Sequence, residues 1–489
     1  MSPRPSAANP QSDRFLYEQI AASLSEQILS GNLRPGEKCP SVRQICRQFE
    51  VSLSTSVQAL ALLEARGLVE ARPQSGFYVK SRLEQSFLLG EQPAKKRPQV
   101  SIGNVESTPL INDVVAAVRD SKALPLGAAT VAADVLPGGG LKRSMIAALR
   151  ELGDDALGYE MPPGNHELRR QIARRALAAG VNIKADDVII TTGSMEALNI
   201  SLRAVTRPGD TVAIESPMFY GILEMLCAMD LKTAEIPAHP VTGMDLECLE
   251  KTIKTRKIAA CLAIPNFNNP LGSKMPDAAK KDLVAMLARE GVPLIEDDIY
   301  GDLQHDGERP VAAKAFDRKG EVLLCASFSK TLSPGVRIGW VVPGKHYTRV
   351  EKLKFVNTIA TATVPQAAVA IFLKQGGYER HLRKLRTALC TRIQQYSMAI
   401  QESFPDGTRI SQPTGGFVLW VQMPPEVDAL KLYHRARAKG IGIIPGPAFS
   451  SDMAKFTNCI RLSCGGTFDH AMAKGIKTLG DEARILQRA

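Results

Sequence analysis

The chain has 489 residues, enough for roughly two to four units of ordinary size and a sizeable buried core. Hydrophobic residues at 44% and charged residues at 23% exclude global disorder, and a net charge of +11 favours a polyanionic partner without establishing one. The nine cysteines are scattered with no Cys-x-x-Cys pair, which argues against a disulfide framework or a zinc site. Met1 to Ser12 is polar and Pro/Ser-rich, and no stretch reaches the ~18 apolar residues of a membrane span, so a cytoplasmic protein with no membrane partner and no metal is expected.

In chain order, Phe15 to Leu29 carries Leu16, Ile20, Leu24 and Ile28 at helical spacing, and Gly31 with Pro35-Gly36 stops it. Pro40-Ser41 caps a short helix, Val42 to Phe49, and a turn at Glu50-Val51 leads to Ser52, the cap of a second helix that runs to Ala65 and ends at Gly67. Two helices joined by so short a turn predict a helix-turn-helix. Leu68-Val69-Glu70 and Phe77-Tyr78-Val79, separated by Arg72-Pro73-Gln74-Ser75-Gly76, predict a hairpin wing.

The segments Leu33-Arg34-Pro35-Gly36-Glu37, Pro40-Ser41-Val42-Arg43, Leu63-Glu64-x-x-Gly67-Leu68-Val69 and Gly76-Phe77-Tyr78-Val79 resemble those of the GntR family of regulators throughout this module. The resemblance implies a DNA-binding winged helix-turn-helix over residues 14–80 and a double-stranded operator as partner. It places Arg43 and Arg47 at phosphates or base edges, Thr55 in the major groove and Gly76 where the wing approaches the minor groove. Many members carry arginine where this chain has Leu53 and Val57. These two either meet thymine methyls or join Leu60 in a buried stripe at i, i+4, i+7.

Residues 81–109, with Gln-Pro, Lys95-Lys96-Arg97 and Pro98, have little periodicity and read as a linker. From about 110 to 489, short apolar runs (Val188-Ile189-Ile190, Val212-Ala213-Ile214, Cys261 to Ile264, Pro293-Leu294-Ile295, Val322-Leu323-Leu324) alternate with amphipathic stretches. That texture predicts an α/β domain with a mostly parallel sheet and ligand chemistry at the strand C-termini.

Several of those strand ends carry polar groups. Ser327-Phe328-Ser329-Lys330 ends one, with Pro334-Gly335-x-Arg337 following; Glu296-Asp297-Asp298-Ile299-Tyr300 ends another. A lone lysine is ordinarily a surface cation and an acidic loop ordinarily solvated, but together they match what pyridoxal 5'-phosphate demands. Lys330 is the Schiff-base amine, Asp297 the partner of the pyridinium nitrogen, and Tyr300 and Asn269, from Asn266-Phe267-Asn268-Asn269-Pro270-Leu271-Gly272, the donors to the phenolate oxygen. Thr191-Thr192-Gly193-Ser194-Met195 passes from strand to helix and puts the phosphate on Ser194 and the Met195 amide, joined by Ser327 and Arg337. Phe219, in Glu215-Ser216-Pro217-Met218-Phe219-Tyr220, stacks on the ring or simply packs in the core.

The order and spacing of these segments, over roughly Pro125 to Ile485, resemble the fold-type I aminotransferases (class I/II), and their fusion to a GntR-like module resembles the MocR subfamily. The resemblance implies a large domain with a smaller C-terminal α/β subdomain, and a homodimer that shares its cofactor pockets. It adds Tyr159, in Gly158-Tyr159, as a tyrosine reaching the partner subunit's phosphate, and Arg461, in Ile460-Arg461-Leu462-Ser463, as the clamp on an amino acid carboxylate. Three functions follow: a regulator whose C-terminal domain senses pyridoxal phosphate or a small amino compound through Schiff-base chemistry at Lys330, an active aminotransferase that also binds DNA, or a DNA-binding protein with the enzyme fold as a dimerisation scaffold. Intact Lys330, Asp297 and Tyr300 argue against the third. Fusion to a DNA reader favours the first.

Overall fold

Apolar residues at helical spacing become α1 (Leu16–Leu29), which buries Ile20, Ala21, Leu24 and Ile28. The computed structural model describes residues 15–29, 32–33, 37–72, 75–79, 83, 87–90, 100, 102–104, 109–119 and 123–488. The expected stop at Gly31 and Pro35-Gly36 and the Lys95-Lys96-Arg97 run lie outside them. The chain divides into two compact units, residues 1–84 and 85–489.

In the first unit, α2 (Val42–Phe49) starts at Ser41, whose hydroxyl accepts from the Gln44 N–H while the Gln44 side chain accepts from the Ser41 N–H, a reciprocal cap. It ends at Glu50, in the left-handed region at φ 52°, and Ser52 then caps α3 (Leu53–Ala65) by accepting from Thr55 N–H. The wing is β1 (Val69–Arg72) paired antiparallel with β2 (Gly76–Val79). Ile45, Ala59, Leu60, Leu63, Val69 and Val79 close the core with the buried face of α1.

The second unit is built on β3 (Ile102–Asn104), β4 (Ile189–Thr191), β5 (Thr211–Ser216), β6 (Lys232–His239), β7 (Gly243–Met244), β8 (Ala260–Ala263), β9 (Leu294–Asp297), β10 (Val322–Ser327) and β11 (Gly339–Val342). They form one sheet in the order β3-β6-β5-β8-β9-β10-β11-β4, with β7 on β6. Pairings from β6 through β10 are parallel; β11 runs against both β10 and β4, so β4 points the same way as β10. Alternate residues serve opposite faces: Val212, Ile214, Leu262 and Leu323 enter one apolar cluster, and Ala213, Cys261, Ala263 and Val322 the other. A sheet covered on both faces explains why its strands read as continuous apolar runs.

A smaller antiparallel sheet follows, β12 (Arg409–Ile410), β13 (Val418–Gln422), β14 (Ile444–Pro445) and β15 (Cys459–Ser463), in the order β12-β13-β15-β14. The helices Gly377–Ser403, Ala429–Ala438 and His470–Arg488 accompany it. No helix among the described residues is long and apolar enough to cross a membrane.

Two pieces of the expected linker belong to this second unit. Leu88 bridges to Ile410, with Leu89 N–H donating to the Ile410 carbonyl at 2.8 Å, and β3 pairs antiparallel with β6. Both are pairings of one to three residues, too short to leave a periodic signal.

The core of the first unit yields a stability contrast. Leu60→Ala, at a fully buried position, is expected to cost about 2–5 kcal/mol, read as lost hydrogen-exchange protection across α1, α2 and α3 in the full-length protein. Leu53→Ala, 62% exposed, should stay within about 0.5 kcal/mol.

Candidate functional site

On the first unit, Arg43 and Arg47 stand exposed on α2, one turn apart, and neither makes an ion pair with another described residue. Thr55 is half-buried, its hydroxyl 2.7 Å from the Ser52 hydroxyl, so it is engaged at the helix cap. Gly76 opens β2 at φ +103°, a conformation that L side chains rarely adopt, and a Cβ there would lie 3.3 Å from Lys38 Cε. The Arg72 guanidinium sits 4.3 Å from the Tyr78 ring centre in the same wing. The buried stripe of α3 is Ser56, Ala59, Leu60 and Leu63; Leu53 and Val57 are not in it, being 62% and 44% exposed. Of the two readings of that pair, the buried one therefore falls.

In the second unit, the parallel strands deliver their C-terminal ends to one sheet edge. Asp297 ends β9 opposite Cys325 of β10, and Ser327 ends β10 two residues later, followed by Lys330. Tyr300 follows β9, Asn269 follows β8, Phe219 follows β5, and Ser194 follows β4 at the start of the helix Ser194–Val205. The first N–H groups of that helix have no acceptor within it and point outward at its positive end. Gly193, at φ +84°, makes the turn; a Cβ on it would fall 2.3 Å from Arg337 Nη2. Arg337 donates from Nη2 to the Thr192 carbonyl at 3.1 Å and from Nη1 to Ser329 Oγ at 3.5 Å, placing its guanidinium over the start of the helix. Met195, 38% exposed, leaves its side chain at the surface while its amide belongs to the first turn.

Lys330 donates from Nζ to the Ala129 carbonyl at 2.6 Å. Asn269 donates from Nδ2 to the Tyr300 hydroxyl at 3.3 Å, so the two expected phenolate donors already form a pair. Tyr300 is fixed edge-on against Phe417, and Phe219 is half-buried beside Tyr220. Arg461, fully buried in the middle of β15, donates from Nη2 to the Gly127 carbonyl. Tyr159 is 76% exposed. Little of its own chain covers it.

The electrostatics are those of charges removed from water. Burial pushes the Asp297 carboxyl up to about 7, with Asp298 adding to the shift and Lys330 opposing it. Burial brings the Lys330 amine down to about 8, assisted by the Arg461 charge and opposed by Asp297. Burial also raises the Tyr300 hydroxyl to about 12 and lowers Arg461. The buried polar atoms without a hydrogen-bond partner among the described residues include Asp297 Oδ1, Asn269 Oδ1, and Nε and Nη1 of Arg461. Each of these atoms has hydrogen-bonding capacity to offer a polar ligand. An amine of lowered basicity, a bare carboxylate oxygen, a Tyr–Asn donor pair and a helix N-terminus with an arginine over it fit pyridoxal phosphate.

Sequence reasoning missed several contributors. The Gly127 and Ala129 carbonyls leave no mark in a side-chain pattern. His381, whose Nε2 lies 2.7 Å from the Thr331 carbonyl, braces the residue after Lys330 from a helix far along the chain. Glu215, pushed up to about 7 by burial, accepts from Asn268 Nδ2 and from the Ile264 N–H and so holds the loop that carries Asn269; the Glu215-Ser216-Pro217 run was its only signal.

A raised carboxyl is a cost of folding that appears as pH rises. Between the ordinary carboxylate value and about 7 the folded state of Asp297 holds more protons than the unfolded, so stability falls with pH through that window. Asp297→Asn is therefore expected to raise the Tm of cofactor-free protein at pH 8, with a gain that shrinks as pH falls toward 4, while removing the Tm increase caused by added pyridoxal phosphate. Calorimetry across that range reads both.

The geometry agrees with the comparisons. Residues 133–478 match the model of aminotransferase class I and II, and residues 16–79 that of the bacterial regulatory proteins of the gntR family. The chain is 35% identical over 465 residues to YjiR, an uncharacterised HTH-type transcriptional regulator of Escherichia coli (strain K12), covering 95% of this chain and 98% of that one. A second such regulator of that strain, YdcR, is 36% identical over 464 residues with the same coverage. Among solved structures, LysN, the alpha-aminoadipate aminotransferase of Thermus thermophilus complexed with N-(5'-phosphopyridoxyl)-L-leucine, superposes with a TM-score of 0.72 at 26% identity, over 79% of this chain and 96% of that one. With both modules matched in order and regulators of the same build aligned from end to end, the chain belongs to the MocR subfamily of GntR-family transcriptional regulators, a helix-turn-helix joined to a class I/II aminotransferase domain.

Proposed function

We propose that this regulator binds double-stranded DNA through its N-terminal unit and reports, through Lys330, whether the aminotransferase-like unit is occupied by pyridoxal phosphate alone or also by a small amino compound. The observation that carries the reading is the set of unsatisfied buried polar atoms on Asp297, Asn269 and Arg461 in the unit that holds Lys330. In this reading Lys330 holds the cofactor's aldehyde, Asp297 its ring nitrogen, and Tyr300 with Asn269 its phenolic oxygen. Ser194, the Met195 amide, Ser327 and Arg337 take the phosphate, with Tyr159 of one protomer reaching the pocket of the other, and Phe219 lies against the ring. When bound, pyridoxal phosphate supplies an electron-withdrawing ring that stabilises negative charge beside its aldehyde carbon.

The chain's own residues set the terms of that binding. An amine lowered to about 8 keeps a sizeable neutral, nucleophilic fraction near neutral pH. Asp297 would hold a proton on the ring nitrogen of a bound cofactor. Arg461, with two donor nitrogens uncommitted, is suited to a planar carboxylate. The exposed Leu157, Tyr159 and Met161, an apolar surface at 90%, 76% and 46%, support a homodimer that shares its pockets. An effector acts on DNA binding only through unequal affinity for two arrangements of that dimer, and DNA must bias effector binding by the same factor.

A working aminotransferase is the second reading, favoured by the same uncommitted donors on Arg461. The two separate on turnover: the sensor reading expects DNA affinity to change with a particular amine while steady-state transamination stays slow. Fast turnover with amino-acid and keto-acid pairs, together with DNA binding indifferent to every amine, overturns it. Lys330→Ala is expected to abolish the visible absorbance band of the purified protein. Arg43→Ala is expected to weaken operator binding and to reduce the slope of log K against log salt by about one unit; an unchanged slope removes Arg43 from the contacts.

A further inference from the structure

The helix that the helix-turn-helix geometry directs at base edges, α3, carries no cation. Its sequence is Leu-Ser-Thr-Ser-Val-Gln-Ala-Leu-Ala-Leu-Leu-Glu-Ala, and its single charge is Glu64 near the far end. Ser56, Ala59, Leu60 and Leu63 are committed to the core. The opposite side exposes Leu53, Ser54, Val57, Gln58 and Ala61, at i, i+1, i+4, i+5 and i+8, which puts them on one face. Within that face Leu53, Val57 and Ala61 make an apolar row, with Ser54 and Gln58 in the row beside it. Two branched aliphatic side chains at 62% and 44% exposure, on the face a reader turns outward, offer a partner an apolar contact. The exposed Arg43 and Arg47 on the preceding helix suit a partner that is also a polyanion.

We infer that α3 reads thymine by its methyl group: Leu53 and Val57, continued by Ala61, lie against C5-methyls in the major groove, and Gln58 pairs with adenine N6 and N7. Thymine alone presents a methyl in that groove. Guanine presents acceptors at O6 and N7 that are matched by arginine or lysine, and this helix offers neither. The half-site is therefore rich in A·T pairs at the positions under α3, and arginines Arg43 and Arg47 contribute affinity without choosing the base. The inference rests on the DNA-binding reading above and adds the class of base it selects.

The test selects duplexes from a randomised pool with full-length, cofactor-loaded protein, then replaces thymine by deoxyuridine in the selected half-site, removing only the methyls. Wild-type affinity is expected to fall about fourfold per contacted methyl, the fold-change of one buried methylene. The Leu53→Ala/Val57→Ala double variant, whose fold is checked by an unchanged melting curve, should bind thymine and deoxyuridine duplexes alike, whereas Arg43→Ala should weaken both equally and keep their ratio. Equal wild-type binding to the two duplexes, with Arg43→Ala still weak, overturns the methyl reading and leaves DNA binding standing. Selection of guanine-centred half-sites overturns it as well. A double variant that keeps wild-type affinity and its thymine preference but dissociates in the ultracentrifuge overturns it too, and assigns the apolar row to a second copy of the chain. Failure to enrich any duplex overturns the inference and the DNA-binding reading together.

Discussion

The C-terminal unit depends on the burial of ionisable groups at the carboxyl edge of a parallel sheet. Because β4, β5, β8, β9 and β10 point the same way, the residues that follow them have no freedom to scatter. A carboxyl, an amine and a guanidinium that would each prefer water are brought together behind a wall of apolar side chains, and the carboxyl and the guanidinium keep atoms without a hydrogen-bond partner. Groups in that position are costly to the empty fold, and a fold tolerates such a cost where a ligand later offsets it. The opposing perturbations of Asp297 and Lys330 are one expression of this single constraint.

That constraint also explains what was legible in the sequence. Lys330 follows Ser327 by three residues and Tyr300 follows Asp297 by three, so strand, turn and functional group are contiguous and their pattern survives in one short string. The strands of the parallel core were visible as apolar runs for the same reason, since both faces are covered. β11 was not among those runs: Gly339-Trp340-Val341-Val342 is only four residues long and begins two residues after Arg337, and its reversed direction sets Gly339 against the Gly193 turn. β6, with Lys232, Thr233 and Glu235 among its residues, lacks an apolar run because Glu235 is buried for a different purpose, accepting from Ser216, Ser450 and Ser451 and pairing with Lys455.

In the N-terminal unit the helices were legible almost to the residue, because caps and stops are local: Ser41, Ser52 and Gly67 do their work within one turn. The orientation of α3 was not local. Leu53, Val57 and Leu60 satisfy a helical stripe as well as Ser56, Ala59 and Leu63 do, and only packing against α1 and α2 decides that a serine goes inside while a leucine stays out. The Cys46 sulfur 3.2 Å from Ser56 Oγ shows why the serine is acceptable there: its hydroxyl keeps a polar contact.

Lys330 and Arg461 are held by carbonyls only two residues apart, those of Ala129 and Gly127. The same short strip of main chain thus touches both side chains, while Nε and Nη1 of Arg461 keep no partner among the described residues. Leu124, three residues before Gly127, bridges to Ile441 in the smaller subdomain. Lys330 and Arg461 are therefore joined by one stretch of backbone to the foot of that subdomain's sheet, where Gly442 and Ile443 lead into β14.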